Sequence, residues 1–305
     1  MREELYRNKR WSSRNKTLYM EPGDEKIYIP KPLPEGPIPP GIYMGEGLMA
    51  LKRIESDSVQ AVFADPPYFG KQKAFGRSVS NVWEDYSAWT SAWLAEAYRV
   101  LKKTGSIYVC CDWSYSGKIQ ELMEAAGFKV LNRITWKRDK GRGAQKNWKN
   151  NMEDIWFAVK DEKEYYFNVE SVKIKKKVIA PYRDSKGKPK DWVEEDGDRY
   201  RYTYPPNIWI DITVPFWSMA ENTPHPTQKP EKLVDRCLRP VLQPGDLVVD
   251  PFLGSGTTAI IADRIGAECI GIELDPDYVC LAMKRWELRH EIAAKSSLDF
   301  EMEIE

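Results

Sequence analysis

The stretch Leu247-Val248-Val249-Asp250-Pro251-Phe252-Leu253-Gly254-Ser255-Gly256-Thr257-Thr258 decides the fold of this chain. Three apolar residues lead into an aspartate, and two glycines precede a segment of helical character. This pattern predicts a buried strand, a tight turn and a helix over residues 257–265. A further strand over 269–272 ends at the carboxylates Glu273 and Asp275. Such a unit is typical of a parallel sheet covered by helices.

The glycine loop (residues 251–257) also has the chemistry of a ligand site. Its glycines let the backbone approach a ligand closely, and the helix that follows offers N–H groups. Glu273 ends the next strand, from which such folds hold ribose hydroxyls. The spacing differs from the GxGxxG pattern and from the phosphate-binding GxxxxGK[ST] loop. A nucleoside without a phosphate chain is therefore the expected ligand, and a tight turn without a ligand is the alternative.

The rest of the chain continues the alternation of strands and helices. Predicted strands cover 42–44, 59–64, 106–111, 130–136, 155–159 and 246–250, and predicted helices cover 48–54, 86–101, 117–126, 233–242 and 278–289. The expected segments are a basic arm with a proline-rich linker (1–41), a first α/β half (42–160), an irregular recognition region (161–222), a second α/β half (223–290) and an acidic tail (291–305).

Asp65-Pro66-Pro67-Tyr68, the DPPY segment (residues 65–68), follows the predicted strand 59–64 directly. The Asp65 carboxylate and a proline carbonyl can accept hydrogen bonds from an exocyclic amine, while the Tyr68 ring can stack on the base that carries it. Asp-Pro-Pro also forms ordinary turns, so the segment alone leaves function open.

Composition excludes several classes of protein. Lys plus Arg and Asp plus Glu are both 46, so a nucleic-acid signal must be local. No run approaches the roughly 18 apolar residues of a membrane span, and no signal-peptide core follows the charged start, which predicts a cytoplasmic protein without a membrane partner. The five cysteines lack zinc or redox spacing and the two histidines are too few for a histidine site, so no metal is expected.

A local basic excess lies in residues 129–190, which hold 18 Lys or Arg against 8 Asp or Glu. Such runs are usually solvated faces, but they also suit contact with phosphates. The candidate DNA-binding residues are Arg138, Lys140, Arg142, Lys146, Lys149, Lys175, Lys176 and Arg183.

Four elements in a fixed order carry a resemblance to a known family. They are the DPPY segment, His225-Pro226-Thr227-Gln228-Lys229-Pro230, the glycine loop with Asp250, and Gly271-Ile272-Glu273-Leu274-Asp275. Their order resembles the β-class of S-adenosylmethionine-dependent DNA amino-methyltransferases. The resemblance covers roughly 42–160 and 223–290. It implies a permuted Rossmann-like methyltransferase fold, a mostly parallel α/β sheet with helices on both faces and an inserted target-recognition region.

The resemblance also implies roles for individual residues. The catalytic set is Asp65, Pro66, Pro67 and Tyr68, with Asp65 and the Pro66 carbonyl accepting from the amine of a flipped base. The set for S-adenosylmethionine is Glu46, Asp65, Thr227, Gln228, Lys229, Asp250, Phe252, Gly254, Ser255, Gly256, Thr257 and Glu273. Phe69 departs from the small or polar residue often seen after DPPY. Trp83 is expected either in the base pocket or in the core.

Adenine N6 is the expected target, and cytosine N4 is the first alternative. An RNA or protein-glutamine methyltransferase and an inactive DNA-binding subunit are further alternatives. The expected partner is double-stranded DNA, and the resemblance adds a homodimer and a cognate restriction endonuclease of a restriction-modification system.

Overall fold

A mixed sheet of eight strands forms the centre of the computed structural model, which describes residues 3–6, 14–70, 82–138, 143, 145–179 and 181–294. In chain order the strands are β1 (Gly41–Met44), β2 (Val59–Ala64), β3 (Leu101–Cys111), β4 (Lys129–Lys137), β5 (Met152–Val159), β6 (Ile174–Lys177), β7 (Val193–Glu195), β8 (Asp198–Thr203), β9 (Ile208–Trp209), β10 (Leu247–Asp250) and β11 (Glu268–Glu273). The main sheet has the order β1-β11-β10-β2-β3-β5-β4-β9, and β6-β8-β7 form a separate antiparallel sheet.

The main sheet is parallel except at β5, which runs antiparallel to both β3 and β4. The described residues form seven α-helices, namely α1 (Asp24–Ile27), α2 (Gly47–Leu51), α3 (Trp83–Val100), α4 (Ser116–Ala125), α5 (Glu231–Leu238), α6 (Thr257–Ile265) and α7 (Pro276–Glu287). Side chains of α2, α3 and α4 fill the core on one face, and those of α5 and α6 fill the other. The predicted α/β fold with helices on both faces is confirmed.

The continuous apolar character of β2 follows from this layering. All six residues from Val59 to Ala64 are buried, because helices cover both faces of the parallel strands. β10 lies beside β2, although about 180 residues separate them in sequence, with Val248 opposite Ala61. The chain is therefore permuted as expected, and the carboxyl ends of β2 and β10 lie side by side.

The region over 161–222 is less separate than its sequence indicates. Residues 174–203 form the small sheet, but β9 pairs in parallel with β4 and extends the main sheet. Trp209, Ile212 and Val214 are buried in the core under that sheet. The predicted boundary at 222 thus falls well after the chain has returned to the main body.

The described part of the N-terminal arm packs on that body. The Lys16 amide donates to the Trp217 carbonyl at 2.7 Å, and the buried Lys284 ammonium of α7 donates to the Tyr19 carbonyl at 2.7 Å and to Asp24 at 2.6 Å. The predicted acidic tail lies beyond residue 294 for most of its length, outside the described residues. Among the described residues, no helix has the length and apolarity needed to cross a membrane.

Candidate active site

A cavity of about 830 Å³ opens at the carboxyl edge of the parallel strands. β1, β2, β10 and β11 all end there, which is where ligands bind in open α/β sheets. Every residue predicted for catalysis and every one predicted for the cofactor lines this cavity, with the exception of Gly256. Gly256 has a positive φ of 88°, and a Cβ there would lie 3.1 Å from Ala282 of α7. Its role is therefore to let the turn pack against α7.

Buried hydrogen bonds fix the shape of the glycine loop. Asp250 accepts from the Phe252 amide at 2.9 Å and from the Thr258 hydroxyl at 2.6 Å. Burial raises the pKa of Asp250 to about 7. Gly254 has a φ of 57°, and its amide donates to Glu273 at 3.1 Å. The two strand ends are thereby tied together across the floor of the cavity.

The Arg285 guanidinium supports the same loop from behind. This fully buried side chain of α7 donates to the Ser255 hydroxyl at 3.2 Å, to the Thr257 hydroxyl at 2.8 Å and to Glu231 at 2.8 Å. The ion pair with Glu231 links α7 to α5 through the loop. The loop is thus held by α5 and α7 as well as by its own strand.

The lining of the cavity is strongly acidic. It carries seven carboxylates and two basic side chains, namely Glu46, Asp65, Asp85, Glu153, Asp250, Glu273 and Asp275 against Arg138 and Lys229. A phosphate chain would be repelled by this field, whereas a cationic nucleoside would be attracted. The apolar side chains of Trp89 and Phe252, with ring centroids 5.5 Å apart, offer a wall for a flat ring. The residues present therefore fit S-adenosylmethionine, a sulfonium nucleoside.

The DPPY segment forms the opposite wall of the cavity. The Tyr68 hydroxyl lies 2.8 Å from Asp65 Oδ1 and 2.7 Å from Glu153 Oε1. The Tyr86 hydroxyl donates to the Pro67 carbonyl at 3.2 Å, which braces the turn. Phe69 turns away and packs on Trp83, with centroids 5.5 Å apart. Trp83 is not among the cavity-lining residues, so of its two expected positions the structure favours core packing.

Lys229 lies between two acidic groups in a partly buried charge network that we define as Asp65, Tyr68, Arg138, Glu153 and Lys229. The Lys229 ammonium donates to Asp65 Oδ2 at 2.6 Å and pairs with Glu153 Oε1 at 2.8 Å. The Arg138 guanidinium donates to Glu153 Oε2 at 2.8 Å. Two positive and two negative charges balance, which makes the burial of Glu153 and Lys229 tolerable.

This environment shifts the pKa values of Asp65 and Glu153 in opposite directions. Burial raises the pKa of Asp65, and the Glu153 charge adds to that rise although Lys229 opposes it. Burial acts in the same direction on Glu153, but Lys229 and Arg138 outweigh it and lower its pKa. The pKa of Lys229 is raised, because Asp65 and Glu153 outweigh the opposing effect of its burial. Glu153 and Lys229 are thus fixed charges, and Asp65 is the more basic carboxylate.

Two carboxyl groups of the network, together with the Cys110 thiol beside it, have the donor atoms of a metal site. The ligand atoms of Asp65, Cys110 and Glu153 all lie within 4.8 Å of one another. The Lys229 ammonium contacts both carboxylates, so it fills the position that a cation would take. Burial raises the pKa of the Cys110 thiol well above its usual range, which disfavours the thiolate that a metal needs.

The predicted DNA-binding residues fall in two places. Arg138, Lys146 and Lys149 belong to the connection between β4 and β5, at the same edge of the sheet as the cavity. Arg138 is held by Glu153, whereas residues 145–150 are exposed. Lys175 and Lys176 lie on β6, where Lys175 pairs with Glu195, and the Arg183 guanidinium donates to the Gly187 carbonyl. Lys140 and Arg142 lie outside the described residues.

Sequence reasoning missed several residues that shape the site. They are Tyr86, Trp89, Glu153, His225 and Arg285, of which all but Arg285 line the cavity. His225 falls inside a quoted motif, and Arg285 is a charge within the apolar run of α7. Either signal could have drawn attention to them. Glu153 has no such signal, since it is one of two adjacent acids in a strand.

The fold and the cavity define a class. A nucleoside cavity of acidic character that shares a wall with a DPPY segment is the arrangement of an S-adenosylmethionine-dependent amino-methyltransferase.

Comparisons with known proteins specify the family. A family model described as "DNA methylase" matches residues 59–284. The DNA adenine methyltransferase YhdJ of Escherichia coli (strain K12) is 34% identical over 262 residues, covering 83% of this chain and 85% of YhdJ. The type II methyltransferase M.HpaI of Haemophilus parainfluenzae is 29% identical over 257 residues, covering 84% and 76%. The structure of the M1.HpyAVI–SAM complex shares the fold, with a TM-score of 0.54 and 24% identity over 80% of this chain and 97% of that one. The chain belongs to the DNA methylase family of N6-adenine and N4-cytosine methyltransferases.

Proposed function

We propose that this chain transfers a methyl group from S-adenosylmethionine to the exocyclic N6 amine of adenine in duplex DNA. The observation that carries the proposal is the convergence of the DPPY segment and the glycine loop on one cavity. The pairing of β2 with β10 supports the proposal, since the DPPY segment and the glycine loop follow the ends of these two neighbouring strands.

S-adenosylmethionine supplies an activated methyl group, so the chain's own task is orientation and electrostatics. Asp65 accepts a hydrogen bond from the target amine, and the Pro66 carbonyl accepts the second. Pro67 stiffens the turn, and its carbonyl accepts from Tyr86. With both N–H groups held, the nitrogen lone pair is directed at the donor.

A base inside a duplex must leave the stack to reach this wall, at a cost of a few kcal/mol. The Tyr68 ring, half-buried beside the cavity, is the surface on which we expect the flipped base to stack. The name of the 34% identical relative, a DNA adenine methyltransferase, supports adenine over cytosine.

A direct experiment tests substrate and base together. The protein is incubated with S-adenosylmethionine carrying a labelled methyl group and mixed-sequence duplex DNA, and the DNA is digested to nucleosides. We expect label on N6-methyldeoxyadenosine. Label on cytosine alone would overturn the base assignment, and label on RNA but never on DNA would overturn the substrate.

For the cofactor, we propose that Glu273 takes the ribose hydroxyls and that Glu46 contacts the adenine edge. Glu273 accepts from the Gly254 and Asp275 amides, yet each carboxylate oxygen has a second lone pair. Thr227 and Gln228, which line the cavity beside Lys229, would hold the amino-acid end.

Gly47 gives a test of this cofactor site. A Cβ at Gly47 would collide with the Pro251 carbonyl oxygen and lie 2.9 Å from the Pro251 Cβ. We expect Gly47→Ala to displace the glycine loop, to destabilise the fold by about 1–3 kcal/mol and to weaken S-adenosylmethionine binding. Calorimetric titration and thermal unfolding measure both effects. Gly117→Ala is the matched control, since a Cβ there meets no described atom within 4 Å. Equal affinities for the two variants would contradict the assignment.

For DNA, we propose that the connection between β4 and β5 contacts phosphates next to the cavity. Arg138 and Asn151 close this connection with a backbone hydrogen bond, and Lys146, Trp148 and Lys149 are exposed on it. Trp148 has 92% of its surface exposed, which suits stacking on a base or sugar. The small sheet with Lys175, Lys176 and Arg183 is the proposed target-recognition region.

Replacing Lys146 and Lys149 together by glutamine is expected to weaken binding to duplexes of any sequence. If both lysines contact phosphates, the negative slope of log affinity against log salt should become shallower by about 1.8, since each contact contributes about 0.9. Fluorescence anisotropy over a salt series measures the slope. Lys163→Gln is the control, because Lys163 is exposed past the opposite end of β5. An unchanged slope in the double variant would exclude this segment.

A homodimer, a cognate restriction endonuclease and a cytoplasmic location stay predictions from the sequence and its resemblance. They do not enter the mechanism.

A further inference from the structure

Glu153 is the most deeply buried acid in the charge network. It lies near the start of β5 with 2% of its surface exposed, and its carboxylate contacts Tyr68, Lys229 and Arg138 at 2.7 to 2.8 Å. Lys229 pairs with Asp65 as well, so two carboxylates share one ammonium. Glu153 is therefore placed to act on Asp65 through both of its neighbours.

The Tyr68 hydroxyl has one proton and two carboxylates within reach. It can donate either to Asp65 Oδ1 at 2.8 Å or to Glu153 Oε1 at 2.7 Å. While Asp65 is ionised, a bond from Tyr68 to Asp65 is favourable. If Asp65 takes up a proton on that oxygen, it becomes a donor, and the Tyr68 oxygen can accept from it only when the Tyr68 proton turns to Glu153.

Methyl transfer to an amine gives Asp65 a reason to take up such a proton. As the nitrogen–carbon bond forms and the sulfur–carbon bond breaks, with its electron pair leaving on sulfur, the amine must lose one proton. Asp65 is the carboxylate that already accepts from this amine, so an N–H bond breaks and an Asp65 O–H bond forms. We propose that Glu153 is a positioning residue that accepts the Tyr68 hydrogen bond when Asp65 takes up this proton. The inference rests on the proposed function.

The surroundings of Asp65 agree with this direction of proton flow. Lys229 and Arg138 keep Glu153 ionised, whereas burial and the Glu153 charge favour a proton on Asp65. The other titratable groups whose pKa responds to Asp65 are Tyr86 of α3, Cys110 of β3 and Asp250 of β10, and burial raises the pKa of all three. A proton taken up from the amine is therefore favoured on Asp65 over Glu153, and Glu153 remains an acceptor.

Glu153→Gln tests the inference, since it removes the charge but keeps the shape. We expect kcat to fall by about 10- to 100-fold, the range that loss of an orienting hydrogen-bond partner costs at metal sites. The acidic limb of the pH–rate profile should move to lower pH, because the negative neighbour that raises the pKa of Asp65 is gone. Glu153→Asp, which keeps the charge, should leave that limb in place.

A double-mutant cycle separates this role from simple support of the fold. If Glu153 acts through Tyr68, then Glu153→Gln should cost little more in a Tyr68→Phe background, and the two effects should not add. Asp154→Asn is the matched control. Asp154 is the next residue of β5 and is fully buried. Its carboxylate accepts hydrogen bonds from Arg133 and Thr135, and it does not line the cavity. Asp154→Asn should lower the stability of the fold without shifting the acidic limb of the pH–rate profile.

The outcomes distinguish failure of the proposed function from failure of the inference about Glu153. Failure of the wild type to methylate DNA overturns the proposed function. A wild type that methylates DNA, together with a Glu153→Gln variant of unchanged kcat and pH limb, overturns the inference alone. Additive losses in the cycle overturn it as well. If Glu153→Gln does not fold, Glu153→Asp must still lower kcat when Tyr68 is present and have little effect in Tyr68→Phe.

Discussion

Replacing Asp65 with alanine is expected to lower kcat for DNA methylation by at least about 100-fold, which is the cost of losing one preorganised hydrogen-bonding partner in a buried site. The loss falls on kcat because Asp65 orients the amine at the moment of transfer. DNA affinity should be nearly unchanged, since the proposed phosphate contacts lie on the connection between β4 and β5. Methyl transfer and anisotropy measurements on the same preparation give both quantities.

The stability of this variant is part of the prediction. Burial raises the pKa of Asp65, so its ionised form is tolerated only because Lys229 lies 2.6 Å away. After the change to alanine, Lys229 keeps its pair with Glu153, and the fold should survive. Asp65→Asn keeps an acceptor oxygen without the charge and should retain more activity than alanine. A variant that still methylates at the wild-type rate would show that Asp65 is not the amine acceptor.

The parallel sheet was predictable because its signals are local. The strand Val59–Ala64 and the helix Thr257–Ile265 were expected with the bounds that the structure has. Apolar runs ended by glycine or by a carboxylate are typical of buried strands whatever their neighbours. These apolar runs alone do not predict that β10 pairs with β2. The order of the motifs predicted the permuted sheet.

The small sheet and the charge network could not be predicted, for two different reasons. No residue of β6, β7 or β8 is fully buried, so no alternation of apolar and polar residues marks these strands. Lys229 was expected at the cofactor's amino-acid end, but the structure places its ammonium between Asp65 and Glu153. Glu153 lies 85 residues from Tyr68, and only the antiparallel strand β5 brings the two together.

Replacing Lys229 with methionine is expected to have the largest effect on stability. The change leaves two buried carboxylates without the ammonium between them, and breaking such a pair costs about 3–5 kcal/mol. With Lys229 gone, the pKa of Asp65 in the folded state should rise further, because the cation that lowers it is lost. Methyl transfer should then require a higher pH, since only the ionised Asp65 carboxylate can take up the amine proton.

The pH dependence of stability distinguishes this account from a loss of packing. A carboxyl group whose pKa is higher folded than unfolded makes the fold less stable as pH rises from the unfolded value through the folded one. The melting temperature of Lys229→Met should therefore fall, relative to the wild type, as pH rises above the ordinary pKa range of an aspartate. In the wild type the raised pKa of Lys229 contributes stability that is lost only at alkaline pH. Lys229→Arg keeps a cation in place and should not show the fall. A constant difference in melting temperature as pH rises would mean that Lys229 acts through its bulk and not through its charge.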